Sequence, residues 1–150
     1  MSRVQLALNV ADLDASIEFY TKLFGSPPGK VRPGYANFAV ADPPLKLVLF
    51  AEAGEPGSLN HLGVEVASTA EVAAATSRAQ GAELACDVQN ATTCCYAAQD
   101  KVWVQGPDNA WEFYTVLAEA PVLESDGACC ATGTDVATES AGEQPAACCG

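Results

Sequence analysis

Histidine is scarce in this sequence: there is one, His61, in 150 residues. A zinc site built on several histidines, or an iron triad with two, therefore has no route within one copy of the chain. Basic charge is also scarce, with 7 Lys and Arg against 19 Asp and Glu and a formal net charge of −12. That balance argues against a cationic face that neutralises phosphates, so no nucleic-acid partner is expected. No run approaches the roughly 18 consecutive apolar residues of a membrane span. No basic and apolar leader precedes the first strand pattern either. The chain therefore reads as cytoplasmic, with no membrane partner.

What is present is a composition 49% hydrophobic and 17% charged, that of a packed globule. Seven cysteines stand out: Cys86 alone, and the adjacent pairs Cys94–Cys95, Cys129–Cys130 and Cys148–Cys149. No two have C-x-x-C spacing, and an odd count in a reducing compartment reads as thiol chemistry rather than stapling. The chain changes character near Pro121. Residues 121–150 carry five acidic groups, no basic ones and few large aliphatics. The expectation is a folded domain over 1–120, of charge −7, followed by an acidic, Cys-containing disordered tail over 121–150.

Inside the body two segments align without a gap at an offset of 56 residues. Val4-Gln5-Leu6-Ala7-Leu8-Asn9-Val10 matches Asn60-His61-Leu62-Gly63-Val64-Glu65-Val66, each an alternating pattern of a half-buried strand. A helical pattern follows each: Asp12 or Asp14 opens the first and Gly25 ends it, while Ser68 or Thr69 opens the second and Gly81 ends it. Gly25 and Gly81 keep the same offset. Strands are expected at 35–41 and 45–50 around the Asp42-Pro43-Pro44 turn, then at 83–88, 101–105 and 111–117. The fold class is α+β: two βαβββ modules, about 1–56 and 57–118, neither large enough alone, whose curved sheet encloses a central cleft.

Gln5 and His61 hold the same position in the two repeats, and Glu112 lies on the last strand between two aromatics facing the other way. An amide oxygen, an imidazole and a carboxylate on three strands suit facial binding of Fe(II) or Mn(II), with positions left open. The plainer alternatives are a core histidine, a polar lining glutamine, and a glutamate paired with Lys101 or Lys46. Cys94 and Cys95 fall in a loop-like stretch over 89–96, where two thiolates suit one soft centre such as trivalent arsenic or a cadmium ion. The apolar residues Phe38, Tyr96 and Trp103 are candidates to line the cleft.

The strand Asn60-His61-Leu62-Gly63-Val64 carries a resemblance, together with the run from Thr92 to Val104, Pro107-Asp108 and Trp111-Glu112, and the opening Leu8 to Tyr20. Across residues 1 to 118 the chain resembles the ArsI and CadI branch of the vicinal oxygen chelate superfamily. The resemblance implies that fold, with a curved mixed sheet around a metal cleft. It also implies Fe(II)- and O2-dependent cleavage of the carbon–arsenic bond in trivalent organoarsenicals, methylarsonous acid giving arsenite and formaldehyde. The metal positions then fall on Gln5, His61 and Glu112, and the catalytic arsenic-binding thiols on Cys94 and Cys95. Gln5 stands where many relatives have His. Rival implications are a thiol protein that binds cadmium or arsenite without turnover, and a glyoxalase- or extradiol-like metalloenzyme acting on an arsenic-free substrate. With both modules in one chain the site is expected within a monomer, with a homodimer compatible. No role is assigned to Cys129, Cys130, Cys148 and Cys149.

Overall fold

A computed structural model describes residues 2–123 of the chain. The rest of the expected tail, with Cys129, Cys130, Cys148 and Cys149, lies outside the described residues. The elements run β1 (Arg3–Val10), α1 (Leu13–Phe24), β2 (Lys30–Arg32), β3 (Tyr35–Val40), β4 (Leu45–Ala51), β5 (Leu59–Glu65), α2 (Thr69–Gly81), β6 (Cys86–Cys94), β7 (Ala97–Gln105) and β8 (Ala110–Glu119). This is βαβββ twice. Asp12 caps α1 by accepting from the Ala15 amide, and Gly25 closes it in the left-handed region. Ser68 and Glu71 form a capping box at α2, Glu71 reaching back to the Ala67 amide. Gly81 departs from expectation: it is the last helical residue, and the left-handed turn falls instead at Glu83.

The eight strands form one sheet in the order β2-β3-β4-β1-β5-β8-β7-β6. Within each module the first strand pairs in parallel with the last, and the two modules meet through the antiparallel pair β1–β5. In that pair Leu6 faces Leu62, Gln5 faces Gly63 and Ala7 faces His61. Because residues 56 apart are equivalent, the pseudo-twofold axis passes between Leu6 and Leu62. It carries Gln5 onto His61, as the repeat in the sequence requires.

Alternation on β1 gives a burial pattern opposite to a simple apolar-in reading. Gln5, Ala7 and Asn9 are buried, whereas Leu6, Leu8 and Val10 are only partly so. The cause is that both faces are used. The aliphatic face packs, with Ala36, Phe38, Leu47 and Leu49, against the helix α1, and α2 covers Val102 and Phe113 in the same way. The polar face lies inside the curl of the sheet, beside a cluster of Ala7, Tyr35, Val48, Phe50 and Tyr96. Phe38, expected in the cleft, instead packs with Tyr20 and Phe24 beneath α1. The loop expected over 89–96 is also corrected. Residues through Cys94 form β6, and Cys95-Tyr96 is the two-residue turn into β7.

Gly63 lets three strands close at the centre. It pairs with Gln5 on one side and Glu112 on the other, and a Cβ there would lie 2.9 Å from Glu112 Cγ and 3.3 Å from its carbonyl oxygen. Gly63→Ala is expected to lower unfolding free energy by about 1–3 kcal/mol through overpacking. Urea denaturation measures this, and an unchanged midpoint would mean that the three strands have slack.

Candidate metal and thiol site

The fold brings all three predicted ligands together. Gln5, His61 and Glu112 are 4%, 2% and 4% exposed. The Gln5 amide nitrogen is 3.0 Å from His61 Nε2 and donates to Glu112 Oε1 at 2.7 Å, while His61 Nε2 and Glu112 Oε1 are 3.2 Å apart. The fourth corner related by the pseudo-twofold is apolar. Glu112 faces Gly63 on β5, and its counterpart facing Ala7 on β1 is Val48. The pseudo-twofold therefore supplies no fourth donor at Val48.

A β-bulge prepares the imidazole. Between the pairs Ala7–His61 and Leu8–Leu59 one residue, Asn60, is extra, so Asn60 and His61 are both buried. The Asn60 side chain then starts a chain of hydrogen bonds whose polarity can be read from its far end. The Ser58 hydroxyl donates to the Glu55 carbonyl, which only accepts. Ser58 Oγ accepts from Asn9 Nδ2, and Asn9 Oδ1 accepts from Asn60 Nδ2. Asn60 Oδ1 is left facing His61 Nδ1 at 2.7 Å. A neutral ring so held carries its proton on Nδ1 and turns the Nε2 lone pair towards Gln5 and Glu112, leaving it available as a donor.

The electrostatics favour an ionised carboxylate. Burial alone would raise the Glu112 pKa, but the Lys101 ammonium, His61 and the Gln5 amide outweigh it and hold the group at about 2. Lys101 is itself fully buried, 3.4 Å from Glu112 Oε2 and over the Trp103 ring. Tyr114 donates to Gln5 Oε1, and its hydroxyl also lies 3.2 Å from Glu65 Oε2. Burial, followed by the Glu112 and Glu65 charges, pushes the Tyr114 pKa well up, so it stays a protonated donor. This hydroxyl accommodates either orientation of Gln5. With the amide turned to present its oxygen to the cleft, Tyr114 accepts from the nitrogen and donates to Glu65. The donor set thus fits a divalent cation that prefers oxygen and imidazole, such as Fe(II) or Mn(II). Among the described residues no three His, Cys, Asp or Glu side chains cluster to hold a metal, so the fit depends on the Gln5 amide.

The thiols sit at the β6–β7 turn. Cys95 and Tyr96 both have positive φ, 58° and 60°, in a hairpin geometry normally supplied by Asn-Gly. Several ties hold this unfavourable conformation. Cys95 N–H donates to the Leu123 carbonyl at 2.7 Å, Ala120 N–H to the Tyr96 carbonyl, and the Tyr96 hydroxyl to the Pro33 carbonyl. Leu123 packs beside Cys95 on the inner cluster, so the chain just past Pro121 supports the turn. Cys94 is buried and Cys95 half-buried, with their sulfurs 3.1 Å apart. A cavity of about 220 Å³ is lined by Cys95 together with Gln5, Glu112, Val48, Tyr35 and Gln99. Cys86 is remote from it, donating to the Leu84 carbonyl. Trp103 packs edge-on against His61, and Tyr96 against Tyr35.

Tyr114, Asn9 and Asn60 support the site, and no local motif marks them in the sequence. Asn9 sits two strand positions from Ala7 and four from Gln5, so period-2 alternation alone places it on the same face. The ion pair of Glu112 with Lys101, one of the plainer alternatives, is present at 3.4 Å.

Residues 3–114 match the glyoxalase/bleomycin resistance protein/dioxygenase superfamily. The chain is 59% identical over 134 residues to a trivalent organoarsenical cleaving enzyme of Thermomonospora curvata, covering 87% of this chain and 89% of that one. It is 58% identical over 126 residues to the cadmium-induced protein CadI of Mycobacterium bovis, covering 83% of each. Among solved structures it resembles the Mn(II)-bound glyoxalase of Novosphingobium aromaticivorans, with TM-score 0.58 and 18% identity over 86% of this chain and 44% of that one. Methylmalonyl-CoA epimerase from Mycobacterium tuberculosis gives TM-score 0.56 and 16% identity, over 75% of this chain and 86% of that one. These structural likenesses concern the fold.

Glu65 provides a pH test of the support beneath Tyr114. Burial would raise its pKa from the ordinary 4.5, but hydrogen bonds from Arg3 and the charges of Lys46 and Arg3 bring it below that value. A lowered pKa contributes stability above the unfolded value, and that contribution is lost as pH falls through the folded one. Glu65→Gln should therefore lower stability at neutral pH and flatten its decline below about pH 4.5. Urea midpoints against pH measure this, and two parallel acid limbs would show that Glu65 is not coupled to folding.

Proposed function

This chain belongs to the glyoxalase/bleomycin resistance protein/dioxygenase superfamily, in the branch that holds trivalent organoarsenical cleaving enzymes and CadI proteins, and on that premise we propose that it is a C–As bond lyase. Its substrates are trivalent organoarsenicals such as methylarsonous acid, and its oxidant is O2. The overall reaction balances as CH3As(OH)2 + O2 → CH2O + As(OH)3. The observation that carries this reading is one cavity lined by two of the three candidate metal ligands and by Cys95.

Each part of the cavity has a task. Cys94 and Cys95 displace two hydroxyls from arsenic, forming two As–S bonds and releasing two waters. Sulfurs 3.1 Å apart on one tight turn are close enough to share a single arsenic atom. Gln5, His61 and Glu112 would hold Fe(II), which would supply the activation of O2. Lys101 keeps Glu112 anionic, and the Asn9–Asn60 chain keeps His61 Nε2 directed at Gln5 and Glu112. Tyr35 and Val48 wall the cavity beside the carbon substituent and limit water, so orientation is set before bond breaking. β1 and β5 belong to one chain, so a single copy assembles all three ligands.

The test is to incubate anaerobically purified protein with Fe(II), methylarsonous acid and O2, then separate the arsenic species. Arsenite should accumulate with turnover. Bound methylarsonous acid without arsenite would identify a thiol-binding protein instead. Cys94→Ser and Cys95→Ser should each lower turnover by at least about 100-fold, the scale of a lost positioning contact. Retained activity would favour a metalloenzyme that does not need the thiols. His61→Ala should abolish stoichiometric iron binding, measured by metal analysis, and unchanged iron content would remove His61 from the ligand set.

A further inference from the structure

Gln99 is a cavity residue whose side-chain oxygen has no role in that scheme. It lies on β7, is 4% exposed and lines the same cavity as Cys95, Gln5 and Glu112. Its amide nitrogen donates to the Cys94 carbonyl at 3.3 Å. A carbonyl only accepts, so this contact fixes which end of the amide faces the turn. The other end, Oε1, is buried and has no hydrogen-bond partner among the described residues. Other polar groups of the cavity are already engaged. Asn37 donates to the Tyr35 hydroxyl, Lys46 pairs with Glu65, and Lys30 pairs with Glu119. Trp103 Nε1 is likewise buried and unpartnered, but it is a donor and does not line the cavity. A buried acceptor next to the thiol turn calls for a donor on the ligand.

The chemistry of arsenic says which ligand has one. Trivalent arsenic held by two thiolates carries one further substituent. In the adduct of methylarsonous acid that substituent is methyl and cannot donate. In the adduct of arsenite it is hydroxyl: As(OH)3 + 2 Cys–SH → (Cys–S)2As–OH + 2 H2O, with no change of oxidation state. Resting on the reading that Cys94 and Cys95 capture arsenic, we propose that Gln99 Oε1 accepts a hydrogen bond from this arsenic-bound hydroxyl. Gln99 is then a specificity determinant. It makes the pocket complementary to arsenic whose carbon has been replaced by oxygen, and it is left unsatisfied by the methylated adduct. The thiol pocket holds inorganic product more firmly than its two sulfurs alone would.

The test uses metal-free, full-length protein in which Cys86, Cys129, Cys130, Cys148 and Cys149 are replaced by Ser, so that Cys94 and Cys95 are the remaining thiols. Arsenite and methylarsonous acid are titrated anaerobically against this protein and its Gln99→Met and Gln99→Leu variants, following tryptophan fluorescence. Both substitutions remove the amide oxygen but differ in shape. Arsenite affinity should fall about 3- to 10-fold, the worth of one hydrogen bond, while methylarsonous acid affinity stays within about twofold. Retained binding of the methylated ligand also shows that the turn has formed. Unchanged arsenite affinity, or an equal loss for both ligands, would overturn the role of Gln99 and leave thiol capture standing. Binding of neither ligand by the unsubstituted-Gln99 protein would overturn thiol capture itself, and the Gln99 proposal with it.

Discussion

The antiparallel pairing of β1 with β5, centred on Leu6 and Leu62, places every other part of the site. It makes one sheet from two modules and sets their symmetry. It puts the equivalent residues Gln5 and His61 on the same side of that sheet. A slip of one residue would turn β1 over and exchange Gln5, Ala7 and Asn9 for Leu6, Leu8 and Val10 inside the curl. The aliphatic contacts with α1 resist that exchange, so packing on the helical face enforces the placement of polar groups on the other. Gly63 lets Gln5 and Glu112 approach across the strand between them.

The inner face is unusual in what it buries. Gln5, Asn9, Asn60, His61, Lys101 and Glu112 are all at or below 4% exposure, and such groups are costly unless each finds a partner. They do so in two connected sets. One runs from the Glu55 carbonyl through Ser58, Asn9 and Asn60 to the imidazole, and fixes its tautomer. The other couples Lys101, Glu112, Gln5, Tyr114 and Glu65, and keeps the carboxylates charged. Both sets end on Gln5, His61 and Glu112, which ties the stability of the fold to the geometry of these three side chains.

The thiol turn shows the same economy in a different form. Two consecutive left-handed residues that are not glycine are unfavourable on their own. The Leu123 and Pro33 carbonyls, the Ala120 amide and the Tyr35–Tyr96 contact hold them in place. The gain is position. Cys95 is brought to a cavity that Gln5 and Glu112 also line, and Gln99 is tied to the backbone of Cys94.

Much of this was legible in the residues. The 56-residue repeat, two capped helices and the alternation of β1 and β5 follow from local periodicity, which a strand or helix imposes wherever it packs. The repeat singled out Gln5 with His61, and strand alternation put Glu112 on one face with its aromatic neighbours on the other. Other features were set only by tertiary contacts. β2 is three residues long and gains its pairing from β3. Residues 89–94 look like loop because they are polar, yet β7 supplies their hydrogen bonds. Phe38 belongs under α1 because that is the side on which its strand meets a helix, and no local signal distinguishes two covered faces. The sequence by itself determined two equivalent modules and the side chains available for chemistry, since both are written in short-range pattern and residue type. Only the tertiary structure decided which face of each strand became the cleft, which nitrogen of His61 faces Gln5 and Glu112, and that Cys95 lines the same cavity as they do, because those depend on contacts between residues far apart in the chain.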